Sequence, residues 1–196
     1  MYSVIGLGHK AQVGKDTAAE YLEGRHPGVV KRVGFADKLK QITMDLFGLS
    51  YEQCYGSKEV KETVDPRYGK SPRQIMQEVG EKMREIYEDI WVDTVFNTTI
   101  PPLEESGYDF FVISDVRYPN EGDRVHHFEG TVVRVDREAG GTSVGADHLS
   151  ETAMDDYEGW DFIIDNNGTF EEYYAKVSGL VEEIDDRKKG QDHYGR

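Results

Sequence analysis

The sequence predicts an α/β fold: a mainly parallel five-stranded sheet with helices on both faces, a three-layer α/β/α arrangement. Five short runs rich in β-branched or aromatic residues, near 2–7, 29–34, 109–114, 131–136 and 161–165, alternate with helical patterns near 15–24, 36–47, 72–85, 87–99, 119–128 and 169–188. Strands separated by helices pair in parallel, because each crossover returns the chain to the same end of the sheet. A length of 196 residues suffices for one such domain and falls short of two. No internal repeat or linker divides the chain.

The first strand, Val4-Ile5-Gly6-Leu7-Gly8, runs into His9-Lys10-Ala11-Gln12-Val13-Gly14-Lys15-Asp16-Thr17 and then a helix. Glycines let backbone N–H groups curl around an anion, the helix points its positive end at the same place, and Lys15 neutralises β and γ oxygens. The predicted ligand is a nucleoside triphosphate held by Gly14, Lys15, Asp16 and Thr17. The match to G-x-x-x-x-G-K-[ST] is imperfect: the spacing puts His9 at the first glycine, and Asp16 stands where a magnesium-ligating hydroxyl is expected. Thr17 offers a hydroxyl to phosphate, while Asp16 either holds metal through water or caps the helix. A turn using its glycines only for geometry is the competing reading.

After the second strand, Asp37 and Lys40 sit one helical turn apart, and either touch a phosphate or pair with each other. An insertion at 48–71, rich in Gly, Lys and Tyr, ends in Ser71-Pro72-Arg73-Gln74. Ser71 as N-cap, Pro72 at the first helical position and Gln74 closing a capping box predict a helix start. Arg73 is then misplaced in the positive first turn, unless an anion shares it with the helix end. Solvation or a pair with Glu78 would serve as well. Ile75, Met76, Val79, Met83 and Ile86 follow at helical spacing and read as core.

The third strand leads Phe110-Phe111-Val112-Ile113-Ser114 to Asp115 and Arg117. If this strand neighbours the first, Asp115 lies near the loop, where a carboxylate organises Mg2+ or orients an attacking oxygen. Arg117 can contact a second phosphate, though an ordinary pair with Asp115 is the bland alternative. The fourth strand carries Arg134 among valines, which suits a structural ion pair, and Arg137 just beyond its end. Glycine-rich Glu138 to Ala146 fits a mobile cover. Asn166-Asn167-Gly168 after the fifth strand reads as a turn.

Composition limits the function classes. The net charge of −15 argues against direct nucleic-acid binding, yet residues 1–84 carry +3 and residues 85–196 carry −18, so the loop lies in the basic half. The single cysteine, Cys54, excludes an internal disulfide and reads as a small, partly buried apolar residue. His126 and His127 lack companion ligands at metal-binding spacing. No apolar run reaches membrane-spanning length and no leader pattern is evident at residues 1–8, so a soluble cytoplasmic protein is expected.

Six blocks, Gly14-Lys15-Asp16-Thr17, Phe35 to Lys40, Ser71 to Gln74 with Ile90 to Asp93, Ile113 to Glu121, Asp147 to Glu151 and Asp165 to Thr169, occur in an order that resembles the bacteriophage deoxynucleoside monophosphate kinases. These are similar to P-loop nucleoside monophosphate kinases and, in motif, to animal phosphomevalonate kinase. The resemblance implies a P-loop kinase core at 1–47, 91–137 and 159–189, a monophosphate-binding part at 48–90 and a lid at 138–158. It further implies phosphoryl transfer from ATP, with Mg2+, to a deoxynucleoside monophosphate. Lys15, Asp115 and Arg137 would be catalytic, with Arg134 the second choice beside Arg137 for the transferring phosphoryl; Arg73, Arg117, Asp37 and Lys40 would bind the acceptor; Asn166 would lie near the donor base; Asp16, Thr17 and Asp115 would face the metal. His148 is a weaker candidate, because an ionised acceptor phosphate needs little proton abstraction, and Ser150 reads as a helix cap. A homodimer and a phage origin, hence host cytoplasm, are compatible with the resemblance. A phosphomevalonate-like acceptor, or a non-catalytic nucleotide-binding module, are the rival readings. Tyr51, Tyr55 and Tyr68 would favour a stacked base, or serve as packing.

Overall fold

The computed structural model describes residues 2–138 and 149–194. The chain divides into two compact units, one formed by 1–33 with 102–196 and the other by 34–101.

The first unit holds all five strands: β1 (Ser3–Gly8), β2 (Val30–Val33), β3 (Phe110–Val116), β4 (Thr131–Asp136) and β5 (Phe162–Asp165). Every pairing is parallel, in the order β2-β3-β1-β4-β5. Ile5 of β1 lies opposite Val112 of β3 and Thr131 of β4. The expected neighbourhood of the first and third strands is therefore present. Alternation along the strands sends Ile5, Leu7, Val112, Val133 and Val135 into one core, with Ala18, Ala19 and Leu22 of α1 (Lys15–Arg25) and Tyr173, Val177, Leu180 and Ile184 of α10 (Phe170–Tyr194). Gly6 points the other way: a Cβ there would stand 2.9 Å from Val116 and 3.1 Å from Val125 of α8 (Pro119–His127). The sheet thus has a helix layer on each face. Its connections step from β1 to one side (β2, β3) and then to the other (β4, β5), which makes the carboxyl end of β1 the place where a ligand crevice forms.

The second unit is helical: α2 (Phe35–Phe47), α3 (Tyr51–Tyr55), α4 (Lys58–Glu62), α5 (Pro72–Ile86) and α6 (Ile90–Asp93), then a π-helical stretch (Thr94–Thr99) leading into α7 (Ile100–Glu105), which crosses the boundary. α5 starts as its sequence predicts, with Ser71 accepting from the Gln74 N–H and Gln74 from the Ser71 N–H. Leu49, Cys54 and Ile75 form a small core with Met44, Phe47, Met76 and Val79 against it. Cys54 is fully buried rather than partly so, and burial pushes its thiol pKa up. Ile86 departs from expectation: it lies on the core-facing stripe but is 79% exposed, because the helix outruns the cluster it packs on. Short α3 and α4, each begun by a serine cap at Ser50 and Ser57, escape a periodicity reading because five residues hold too few repeats.

Candidate functional site

β1 delivers its last residue, Gly8, into a loop that ends at Gly14, the N-cap of α1. Gly14 has φ +106, and a Cβ would meet the Asn166 amide at 2.4 Å, so both backbone and space require glycine. His9 occupies the position the spacing assigns to the first glycine, and it takes the backbone a glycine would, with φ +90. Gln12 is also left-handed, at φ +61. Two non-glycine residues in that region are strained unless the surroundings hold them. For His9 the surroundings are Asp136, whose Oδ1 is 2.7 Å from His9 Nδ1, and the Trp160 ring at 6.3 Å. Burial, and then the Arg134 charge, hold the His9 pKa below its ordinary value, with Asp136 opposing them.

Lys15 is buried, and its ammonium donates to the His9 carbonyl at 3.0 Å and to that of Lys10. Burial first, then the Arg117 charge, lower its pKa from 10.5 to about 7; Glu151, Asp16 and Asp115 pull the other way. A lysine so poised regains its full charge when an anion arrives. Asp115, at the carboxyl end of β3, and Arg117 just after it are thus within Coulombic reach of Lys15, and the loop, Asp115 and Arg117 form one constellation.

Asp16 lies in the first turn of α1, its Oδ1 accepting from Arg32 at 2.7 Å and from the Ser114 hydroxyl at 2.7 Å. Thr17 follows, half-buried. Asn166 is buried and donates to the Val13 carbonyl at 2.8 Å, while Tyr173 donates to the Gly14 carbonyl at 3.0 Å. Asn166 therefore touches the loop itself. Arg134 pairs with Asp136 at 2.9 Å, the structural role its alternation suggested. Arg137 is exposed just past the end of β4, with Glu138 between it and residues 139–148. That stretch, with His148 and part of the expected lid, lies outside the described residues.

In the second unit Asp37 and Lys40 pair at 3.3 Å, with the Lys40 ammonium 4.4 Å from the Tyr55 ring centre. Arg73 lies 3.4 Å from Glu62, not beside Glu78, which takes Lys70 at 2.5 Å. Tyr51 and Tyr55 stack at 4.6 Å, whereas Tyr68 packs on Phe47 and donates to its carbonyl. Ser150 sits inside α9 (Leu149–Thr152) rather than at its cap.

Two carboxylates escaped the sequence reading. Glu121, almost wholly buried, accepts from the Arg117 N–H at 2.7 Å and the Tyr118 N–H at 3.1 Å, fixing the backbone after β3. A glutamate two residues after Pro119 at a helix start was the available signal. Glu151 accepts from the Ala11 N–H at 3.0 Å and from Arg117 at 2.5 Å, and no local pattern announces a contact 140 residues away.

A glycine-lysine loop at the carboxyl end of the central parallel strand, with a buried lysine in Coulombic reach of a strand-end aspartate and an arginine, defines a P-loop kinase. The fold agrees with that of dephospho-CoA kinase from Campylobacter jejuni, at a TM-score of 0.50, 16% identity and coverage of 96% of this chain and 100% of that one. Residues 49–177 match the deoxynucleotide monophosphate kinase family, and the chain belongs to it. An Acanthamoeba polyphaga mimivirus protein, provisionally described as a deoxynucleotide monophosphate kinase, is 33% identical over 91% of this chain and 96% of its own length. The deoxynucleotide monophosphate kinase of Escherichia phage RB69 is 27% identical over 57% of this chain and 45% of its own. The activity is that of a deoxynucleotide monophosphate kinase, a phosphotransferase.

Proposed function

We propose that the protein transfers the γ-phosphoryl group of ATP to the 5′-phosphate of a deoxynucleoside monophosphate, with Lys15 and the loop amides holding the donor. The observation that carries this reading is the buried, charge-poised Lys15 beside Asp115 and Arg117. An acceptor phosphate oxygen forms a bond to the γ phosphorus as the bond to the ADP oxygen breaks. Because the acceptor is already ionised, alignment and charge neutralisation do most of the work. In this reading Lys15 and Arg117 would neutralise the charge that builds in the transition state, and Arg137 at the end of β4 is our candidate for the transferring group.

The residues fit Mg2+: Asp16, Thr17 and Asp115 offer hard oxygen donors near Lys15, and Mg2+ typically takes one or two carboxylates together with phosphate oxygens and water. Mg2+, when bound, neutralises β and γ oxygens. Among the described residues no group of three or more His, Cys, Asp or Glu would hold a metal by itself, so the nucleotide's own oxygens are part of the expected shell. Asn166 supports the donor site through Val13. Within the first unit Arg117 is our candidate for a phosphate contact. Within the second, Asp37, Lys40 and Arg73 are the candidate polar contacts for an acceptor, and the stacked Tyr51 and Tyr55 offer an aromatic face.

The test is a coupled ADP-release assay with Mg-ATP against deoxy- and ribonucleoside monophosphates and phosphomevalonate. Turnover on one or more deoxynucleotides, lost in Lys15→Ala, is expected. Turnover on phosphomevalonate alone would move the acceptor assignment, and ATP binding without any turnover would make the chain a binding module.

A further inference from the structure

We propose that Glu151 is a built-in competitor of the nucleotide: its carboxylate holds the Ala11 N–H and the Arg117 guanidinium, which incoming phosphates also require, and polyphosphate binding displaces it. This rests on the reading of residues 8–15 as a phosphate loop. The Glu151 side chain is only 9% exposed, and its two oxygens are divided between the two cationic or donor groups, Oε2 taking the Ala11 N–H at 3.0 Å and Oε1 taking Arg117 Nη1 at 2.5 Å. A carboxylate bound to a loop amide and a guanidinium is the arrangement a phosphate makes with the same groups. It lies near enough to Lys15 to raise that pKa. A polyphosphate carries several negative charges and cannot share these partners with a fixed carboxylate at close range.

Glu151 is not needed as scaffolding for the groups it occupies. The Arg117 backbone is fixed by Glu121, and Lys15 is held by the His9 and Lys10 carbonyls. The segment carrying Glu151 has its own tether, because Lys10 donates to the Glu151 carbonyl at 2.8 Å and pairs with Asp155. The carboxylate can therefore leave while its backbone stays. The consequence is a threshold on phosphate binding at the loop and at Arg117 beside it: the apparent affinity for a polyphosphate is the intrinsic affinity reduced to the fraction of molecules in which Glu151 has released Ala11 and Arg117. It also leaves the charges of Arg117 and Lys15 partly balanced by a carboxylate that is part of the chain, while Lys10 is balanced by Asp155.

The experiment is calorimetric titration of wild type and Glu151→Gln with inorganic tripolyphosphate and with Mg-ATP. The variant should bind both about five- to tenfold more tightly, as expected when a competing state is removed. A second measurement uses the wild-type protein: the Glu151 carboxylate 13C resonance, assigned by its loss in Glu151→Asp, should move to its solvated position at saturating tripolyphosphate. Equal or weaker binding by the Gln variant, or an unmoved resonance in saturated wild type, overturns the competition and leaves the phosphate site standing. Failure of wild type to bind either ligand overturns the phosphate-loop reading as well.

Discussion

At the scale of single residues, Lys15 and His9 show how burial sets chemistry. Lys15 is surrounded by loop carbonyls and desolvated, so its charge is costly alone and valuable opposite phosphates. Lys15→Ala should lower kcat on the order of 10² or more in the coupled assay, as for loss of a preorganised charge contact. His9 should make stability pH-dependent. Its pKa is lowered in the folded state, so as pH falls below the unfolded value near 6.5 the unfolded chain takes up the proton first, and stability drains away toward the folded pKa. Above about 7 that share is intact. Urea unfolding between pH 7.5 and 5 should therefore show a flatter stability curve for His9→Gln than for wild type.

Elements explain what these residues can do together. The loop works because its ends are anchored: β1 lies between β3 and β4, Tyr173 and Asn166 brace Gly14 and Val13, and Gly14 permits the turn. Gly14→Ala combines a strained φ with a 2.4 Å approach to Asn166, so it should abolish ATP binding in calorimetry while far-UV circular dichroism stays close to wild type. The cap of α5 makes a contrasting case. Ser71→Ala removes one side of a capping box in the second unit, and should lower unfolding free energy by about 1 kcal/mol without changing ATP affinity. Loss of ATP binding in that variant would show that the cap does more than hold a helix.

Taken as a whole, the folded molecule should gain stability from any ligand that binds it and not the unfolded chain. Mg-ATP at 100 times its Kd should add about 2.7 kcal/mol of stability, read as a rise in Tm that Lys15→Ala lacks. Among the described residues no helix is long and apolar enough to cross a membrane. The −15 charge is carried mainly by the second half of the sequence, away in sequence from the loop.

Much of this was legible in the chain, for identifiable reasons. Val4 to Gly8 and Phe111 to Ser114 announce strands because buried parallel strands are continuous apolar runs, and Ser71-Pro72-Arg73-Gln74 announces a helix because capping is local chemistry. Gly14-Lys15 announces a strand-to-helix turn because the residues that make it are adjacent in sequence, and Asp115 follows an apolar run that marks the end of a strand. The partners did not announce themselves. That Arg73 approaches Glu62 and not Glu78, that Ile86 is solvated, that Arg117 meets Glu151 and that Asp16 meets Arg32 and Ser114 depend on which distant segments the fold brings together. Backbone conformation and caps follow from neighbours a few bonds away, so sequence alone determined the alternating α/β order, the phosphate loop and the start of α5. Ion pairs and exposure depend on long-range packing, so only the tertiary structure decided which carboxylate faces which cation, and with it that Glu151 stands at the phosphate loop.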